Sequence, residues 1–367
     1  MRLDLVLEQL LSPVPGGTGR YAAEVCAALM AGAPAGGDVQ GWTAWHRDTT
    51  AARVPGAPAP RRLLLPRRPL VAAWERGLPV RPRGGDLVHA PTLLAPPRGD
   101  RPLVVTIHDA VPWTHPETLT PRGVRWHRRM AERVAATADA VVVPTQAVAD
   151  ELARFLTLPS RVVVTGAGVG SALDDQPDAA ARRERLGVPV GEYLLTVATL
   201  EPRKGLDVLL AALAERPAAL PPLVVVGQAG WGGIQPDAMA RDLGLPDGQV
   251  RLLGRLPDAD LAAVLHGATA LVAPSRAEGF GLPVLEAMAA GVPVISSDAP
   301  ALVEVGGGAT VVTQVGDATA LAAALGDLMG NGARRAELGI AGRRRAAEFS
   351  WENVAARLWR LYAELVG

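Results

Sequence analysis

Short apolar runs alternate with stretches of helical spacing, and this alternation occurs twice along the chain. Alternating strand and helix is the pattern of α/β architecture with parallel sheets. The first half predicts strands at 3–7, 87–89, 103–108, 140–144 and 161–165. The second half predicts strands at 193–198, 223–226, 250–253, 270–273 and 292–296. The sequence therefore predicts an α/β protein with two doubly wound, Rossmann-like units.

Domain boundaries follow from the polar segment between the two repeats. We predict an N-terminal domain over 1–172, a linker over 173–190 and a C-terminal domain over 191–350. The tail, 351–367, follows Ser350 and has apolar residues at helical spacing, which predicts a capped helix that packs back on the N-terminal domain. Ligands of open α/β sheets bind outside the carboxyl ends of the strands. Two such domains facing each other predict a binding cleft between them.

Charge and cysteine content exclude several classes of protein. The 37 basic and 37 acidic residues cancel, so the overall charge gives no reason to expect nucleic acid as a partner. The single cysteine, Cys26, excludes an intramolecular disulfide. Charged residues and prolines interrupt the longest apolar stretches, so none of them predicts a transmembrane helix. We expect a cytoplasmic protein, and the oligomeric state stays open.

Residues 61–83 are rich in arginine, with seven arginines against one acid, Glu75. Leucines are interleaved with these arginines, so the region could meet an anionic membrane or a phosphate-bearing acceptor. A solvated, proline-rich connection is the simpler interpretation and the one we favour. Peripheral membrane contact through Arg61 to Arg83 is the alternative.

Lys204 is the only lysine among the 37 basic residues. It lies in the run Glu201-Pro202-Arg203-Lys204-Gly205, directly after a predicted strand. Arginine is a planar fork, whereas lysine is a compact point charge on a flexible stem, so a crowded phosphate site can require lysine. The alternative is that Lys204 has no special role and remains by chance in a chain whose other basic residues are arginine.

The segment 274–293 is the richest in chemical signals. Pro283 is placed to open a helix and Gly291 to end it, which puts Glu286 in the first turn. The preceding Gly279-Phe280-Gly281 brings backbone N–H groups to the start of that helix, next to Leu282, and such a helix start is an anion site.

Two carboxylates, Glu278 and Glu286, flank this predicted anion site. A carboxylate there would repel phosphate, but it is a good acceptor for the vicinal hydroxyls of sugars. One could hold a ribose and the other a hexose. The alternative makes Glu286 a helix N-terminal charge and Glu278 a loop residue.

The spacing of Glu278 and Glu286 resembles the E-x7-E signature of retaining glycosyltransferases of family 4, and the likeness extends over nearly the whole chain. The resemblance implies the GT-B fold, two facing Rossmann-like domains with a cleft between them. It implies that Glu278 contacts the donor sugar and that Glu286 binds the nucleotide ribose. Residues 1–172 would be the acceptor side and 191–350 the nucleotide-sugar-binding side.

The run around Lys204 resembles the phosphate clamp of this family. Many members have an arginine five residues before the lysine, where this chain has Thr199. The resemblance therefore implies that Arg203 and Lys204 together hold the donor diphosphate. Two cations on a developing diphosphate act electrostatically, so no metal would be required.

Further roles are implied by the same resemblance. His108 would position the donor sugar and Asp109 would orient it or the acceptor, although a histidine there can also be a core residue. The remaining donor-binding positions are Gly16, Gly17, Thr199, Gly227, Arg255, Gly279, Phe280, Gly281 and Leu282. The remaining acceptor-orienting positions are Arg20 and Tyr21.

The implied function is a retaining hexosyltransferase. The stretch from His108 through Glu117 is similar to members that transfer mannose from GDP-mannose. The acceptor would be an alcohol of a glycan, a glycolipid or a small-molecule secondary metabolite. The alternatives are a silent nucleotide-sugar-binding protein of the same fold and a glycosyltransferase that uses a UDP-sugar. A nicotinamide-dependent dehydrogenase is disfavoured because the glycine fingerprint is missing.

Overall fold

The computed structural model describes residues 1–216 and 220–367. They form two compact units, each built on a parallel sheet. The first unit comprises Met1–Pro116, Pro121–Gly168 and Ser350–Gly367, and the second comprises Glu117–Thr120 and Val169–Phe349. The predicted linker, 173–190, lies in the second unit.

In the first unit the strands lie in the spatial order β3-β2-β1-β4-β5-β6-β7, and each pairs with its neighbours in parallel. The strands are β1 (Arg2–Val6), β2 (Asp38–Trp45), β3 (Arg61–Pro66), β4 (Leu87–Ala90), β5 (Leu103–Thr106), β6 (Ala140–Val143) and β7 (Val162–Val164). The helices are α1 (Gly16–Ala31), α2 (Arg67–Glu75), α3 (Val111–Thr114), α4 (Pro121–Thr137) and α5 (Gln146–Ala153).

In the second unit the spatial order is β10-β9-β8-β11-β12-β13, again parallel throughout. The strands are β8 (Leu194–Val197), β9 (Leu223–Val226), β10 (Val250–Gly254), β11 (Ala270–Ala273), β12 (Val294–Ser297) and β13 (Val311–Thr313). The helices are α6 (Ala179–Arg185), α7 (Leu206–Glu215), α8 (Pro236–Asp242), α9 (Asp258–His266), α10 (Leu282–Ala290), α11 (Pro300–Gly306), α12 (Ala318–Met329) and α13 (Gly332–Ala346).

Helix α6 explains why residues 173–190 are part of the second unit. Arg182 and Arg185 on α6 both donate to Oδ1 of Asp260 on α9, at 2.6 and 2.8 Å. His266 at the end of α9 contacts the carbonyl of Leu173 at 3.0 Å. The polar composition of this segment therefore reflects a helix paired by charge to a neighbour.

The arginine-rich region is folded, so its interpretation as a solvated connection is wrong. Residues 61–66 form the edge strand β3, in which only Leu63 is buried while the arginines at its start face solvent. Leu70 and Trp74 of the following helix α2 are buried in the core of the first unit. Arginines at an edge strand are consistent with protection of its unpaired backbone.

The last helix, α14 (Trp351–Val366), belongs to the first unit and packs on α1. Ser350 caps it, since its Oγ accepts a hydrogen bond from the Asn353 amide at 3.1 Å. The indole of Trp359 donates to the Leu29 carbonyl on α1, also at 3.1 Å. Within the described ranges, no helix is long and apolar enough to span a membrane.

Packing of α14 gives a first prediction. Leu358 is fully buried on this helix, so Leu358→Ala should lower the free energy of unfolding by about 2–5 kcal/mol through lost burial and the cavity left behind. The exposed neighbour Arg360 supplies the control, and Arg360→Ala should change stability by less than about 0.5 kcal/mol. Urea unfolding measures both, and equal stabilities for the two variants would show that α14 is not part of the core.

Candidate active site

The carboxyl ends of β8 and β11 meet at the centre of the second sheet. From β8 the chain winds outward through β9 and β10, and from β11 it winds the other way through β12 and β13. This reversal is the topological switch point at which open α/β sheets bind their ligands. The two loops that leave β8 and β11 at this point contain residues 198–205 and 274–281.

These two loops are in close contact. Gly205 has a φ of +67°, and a Cβ on it would lie 2.1 Å from the carbonyl oxygen of Pro274, so only glycine fits. The amide of Arg276 donates to the Arg203 carbonyl at 2.8 Å. The guanidinium of Arg276 also donates to both carboxylate oxygens of Asp207, at 2.8 and 2.5 Å. The loops therefore form one platform.

Glu278 is the centre of this platform. Its Oε1 accepts from Lys204 Nζ at 2.6 Å and from Ser275 Oγ at 2.8 Å, while Oε2 accepts from Arg203 Nη1 at 3.0 Å. The Glu278 side chain is 12% exposed and that of Lys204 is 17% exposed. Three predicted site residues, Arg203, Lys204 and Glu278, are thus brought into direct contact.

The protonation state of Glu278 follows from these contacts. Burial favours the neutral acid, but the charges of Lys204 and Arg203, with hydrogen bonds from Lys204 and Ser275, outweigh it and lower the pKa of Glu278 to about 2. Glu278 is therefore an ionised acceptor at neutral pH, and it has no proton to donate.

Glu201 is a second carboxylate at the site, and sequence reasoning gave it no role. It is 2% exposed and accepts from Arg203 Nη2 at 2.7 Å. Burial raises the pKa of Glu201, while the charges of Arg203 and Lys204 oppose the rise. The only sequence signal was its position directly before the Pro202-Arg203-Lys204 run.

Helix α10 begins next to this platform. Gly281 precedes it with a φ of +91°, and Gly291 ends it with a φ of +75°, which confirms the predicted end, whereas Pro283 is the second residue of the helix and not the first. Glu286 is the fifth residue of the helix, so its placement in the first turn is wrong, because the helix already begins at Leu282. Glu286 is 6% exposed.

A pocket lies between the two loops and the start of α10. Its lining includes Lys204, Ser275, Glu278, Gly281 and Pro283. The positive end of the helix, a lysine and an ionised carboxylate therefore face one space within the second unit. Such a set can bind an anion and the hydroxyls of a sugar side by side.

Close packing explains why position 227 is a glycine. A Cβ there would lie 1.7 Å from the carbonyl oxygen of Ala198, because the end of β9 passes directly against the loop after β8. Thr199, in that loop, is half-buried, and Arg255 is exposed. Their roles in donor binding stay predictions.

Phe280, in the loop before α10, is buried. It is 7% exposed and its ring meets that of Phe349 edge to face, with centroids 5.7 Å apart. Phe280 therefore anchors the loop that carries Glu278 and Gly279.

In the first unit, His108 and Tyr21 are in contact. Nε2 of His108 lies 2.8 Å from the Pro91 carbonyl, and its ring meets that of Tyr21 edge to face at 4.8 Å. Burial lowers the pKa of His108, so the neutral imidazole is favoured. Tyr21 is 3% exposed and its hydroxyl lies 3.4 Å from Thr165 Oγ1, which makes it a core residue beside the histidine.

The other predicted residues of the first unit lie near the starts of helices. Asp109 accepts from the Val111 amide at 3.1 Å, and Arg20 is half-buried on α1. Gly16 and Gly17 are exposed at the first turn of α1, and Gly16 has a φ of +61°. Their roles in donor or acceptor binding stay predictions.

The fold and the pocket together define a two-domain α/β protein of the GT-B type. Sucrose-phosphate synthase from Thermosynechococcus elongatus superposes over 100% of this chain and 99% of its own with a TM-score of 0.79 at 23% identity. Anabaena HepE in complex with UDP-glucose superposes with a TM-score of 0.75 at 22% identity, covering 100% of both chains. At these identities the likeness concerns the fold.

Sequence comparison relates both halves of the chain to glycosyltransferases. A family model described as glycosyl transferases group 1 matches residues 180–345, and one described as glycosyltransferase family 4 matches residues 15–171. The two matches adjoin and together span most of the chain. Glycosyltransferase family models therefore match both halves of the chain.

Curated relatives share parts of the chain. The O-antigen chain mannosyltransferase B of Escherichia coli is 31% identical over 62% of this chain and 59% of its own length. The D-inositol 3-phosphate glycosyltransferase of Segniliparus rotundus is 36% identical over 43% of this chain and 36% of its own. The matches thus span roughly a third to three fifths of these relatives.

The ionised state of Glu278 predicts a pH dependence. Its pKa is about 2 in the fold against 4.5 ordinarily, so its contacts stabilise the protein above about pH 4.5 and this contribution is lost as the pH falls towards 2. Glu278→Gln should therefore be less stable than the wild type at neutral pH, and the difference should shrink below pH 4.5.

Urea unfolding of both proteins across this range measures the difference, since carboxylates remote from position 278 titrate alike in the two proteins and cancel in the comparison. Glu337→Gln is the control, because Glu337 is 67% exposed and its pair with Arg334 lies on the surface. A stability gap for Glu278→Gln that stays constant down to acid pH would contradict the assigned protonation state.

Proposed function

We propose that the chain is a retaining hexosyltransferase that moves mannose from a nucleoside diphosphate sugar, GDP-mannose, to an alcohol acceptor. The acceptor would be a glycan, a glycolipid or a small secondary metabolite. The proposal depends on one observation: Lys204 and the ionised Glu278 are paired at the start of α10, in a pocket at the switch point of the second sheet.

The pocket supplies what a nucleoside diphosphate sugar needs. The diphosphate is an anion, and Lys204 with the positive end of α10 provides two sources of positive potential for it. As the bond between the sugar and the diphosphate breaks, negative charge grows on the leaving phosphate. A fixed cation at that point stabilises the transition state more than the ground state. Lys204 would then supply charge that a metal ion provides in other enzymes.

Glu278 suits the sugar side of the same donor. Its pKa of about 2 keeps it ionised, so it accepts hydrogen bonds from sugar hydroxyls. Both of its oxygens are already engaged by cations and by Ser275, which makes it a poor nucleophile. We therefore favour attack of the acceptor on the same face from which the diphosphate leaves, with retention at the anomeric carbon. Glu286, farther along α10, would bind the ribose.

The relatives support the choice of donor. The mannosyltransferase of Escherichia coli is the relative that shares the largest part of this chain among those described above, which supports mannose. The HepE structures contain UDP or UDP-glucose, which supports a nucleoside diphosphate as the leaving group and keeps a UDP-sugar as the second candidate.

Lys204→Ala tests the proposal. Loss of the cation should lower kcat for transfer or hydrolysis of GDP-mannose on the order of 100-fold, because removal of one preorganised electrostatic group has an effect of this size. Arg344→Ala, at an exposed position on α13, is the control and should behave as wild type. Rates are measured in EDTA with GDP-mannose and UDP-glucose in parallel, and NMR reads the anomer of the product.

Three results would count against the proposal. An unchanged kcat in Lys204→Ala would show that the lysine takes no part in the chemical step. Activity that appears only with a divalent ion removes the metal-independent mechanism. A product of inverted configuration removes attack from the leaving-group face.

A further inference from the structure

The two neighbouring cations of the site differ in how firmly they are held. Arg203 donates through Nη1 to the Ala277 carbonyl at 2.9 Å and to Glu278 at 3.0 Å, and through Nη2 to Glu201 at 2.7 Å. Among the described residues, the Nζ of Lys204 donates only to Glu278. An ammonium has three N–H donors, so Lys204 keeps donors that are available to a ligand.

Moving Arg203 would be costly. Glu201 is 2% exposed and Arg203 is its hydrogen-bonded counter-ion, so a guanidinium that turned toward a phosphate would leave a buried carboxylate uncompensated. Removal of one partner from a buried ion pair is strongly destabilising. Arg203 also joins the loop after β8 to the loop after β11, through Ala277 and Glu278.

Moving Lys204 leaves the site largely intact. If its ammonium shifts toward a diphosphate, Glu278 still accepts from Arg203 at 3.0 Å and from Ser275 at 2.8 Å. Its flexible stem allows such a shift, whereas the planar fork of arginine fits a fixed bidentate position. The arrangement thus separates a cation that can follow a ligand from one that fixes the protein.

We propose that Glu201 and Arg203 are positioning residues. Glu201 fixes Arg203, and Arg203 orients the Glu278 carboxylate between the two loops. Of the two cations, Arg203 and Lys204, only Lys204 binds the nucleoside diphosphate. This rests on the proposed function. It replaces the clamp in which Arg203 and Lys204 together hold the diphosphate, as the family resemblance implies, and it gives the buried Glu201 a role.

Measurements of nucleotide binding and of turnover distinguish the ligand role of Lys204 from the positioning roles of Arg203 and Glu201. Calorimetry with GDP, UDP, GMP and UMP measures how far the second phosphate contributes to affinity. Lys204→Ala should weaken binding of the diphosphates about tenfold or more while leaving the monophosphates within about twofold. Arg203→Gln and Glu201→Gln should leave all four affinities within about threefold and lower kcat about tenfold or more.

Glu201 and Arg203 should also act as a unit. Because Glu201 works through Arg203, the double variant Glu201→Gln/Arg203→Gln should have a kcat no lower than about that of the worse single variant. Glu201→Gln keeps the shape of the side chain, so the affinities and kcat of this single variant test the positioning role even where Arg203→Gln does not fold. Asp207→Asn is the matched control, because it weakens the ion pair that joins Arg276, in the loop after β11, to the first turn of α7, without touching Glu278. It should retain kcat within about threefold.

The outcomes are distinct. If Arg203→Gln loses diphosphate preference as Lys204→Ala does, the positioning role is overturned and the proposed function stands. An equal loss of kcat in Asp207→Asn would also overturn it, since general loosening of the loops would then explain the effect. If the wild type binds neither GDP nor UDP, the proposed function itself fails.

Discussion

The site depends on an ionised carboxylate, Glu278, held below the surface by two cations. Such a group is unfavourable in a low-dielectric setting unless its charge is balanced and its oxygens are hydrogen-bonded. Lys204, Arg203 and Ser275 satisfy both conditions. The same hydrogen bonds also join the two loops of the switch point, so the contacts that balance the charge of Glu278 also hold the local fold together.

The parallel sheet makes this arrangement possible. The chain leaves β8 and β11 at the same edge, which brings residues about 75 positions apart into one pocket. Gly205 lets the backbones approach, and Gly281 allows α10 to begin where its positive end faces the pocket. The same residues serve packing and binding, which is why glycine at these positions has a structural explanation even without a ligand.

Much of this could be predicted from the sequence, for identifiable reasons. Buried strands of a parallel sheet appear as continuous apolar runs, so β5, β6, β9 and β11 were located directly. β2 and β3 were missed because glycine, glutamine and arginine interrupt their apolar pattern, and β13 because only two of its three residues are apolar. Local periodicity does not report pairing with distant strands.

Within the site, residue types with a known chemistry were found and their partners were not. The single lysine and the spacing of Glu278 and Glu286 drew attention to the correct loops. The contact of Glu201 with Arg203 could not be predicted, because burial of a carboxylate depends on packing that one sequence does not encode locally. The resemblance implied that Arg203 and Lys204 together hold the diphosphate, whereas the hydrogen bonds show that the two cations are held to different extents.

The central claim is that Lys204 is the diphosphate ligand at the switch point. A crystal structure of the wild-type protein with GDP tests it most directly. The account predicts Lys204 Nζ within about 2.7–3.2 Å of a phosphate oxygen, with Arg203 still donating to Glu201 and Glu278. A diphosphate bound away from the start of α10, or held by Arg203 after it has left Glu201, would contradict the account.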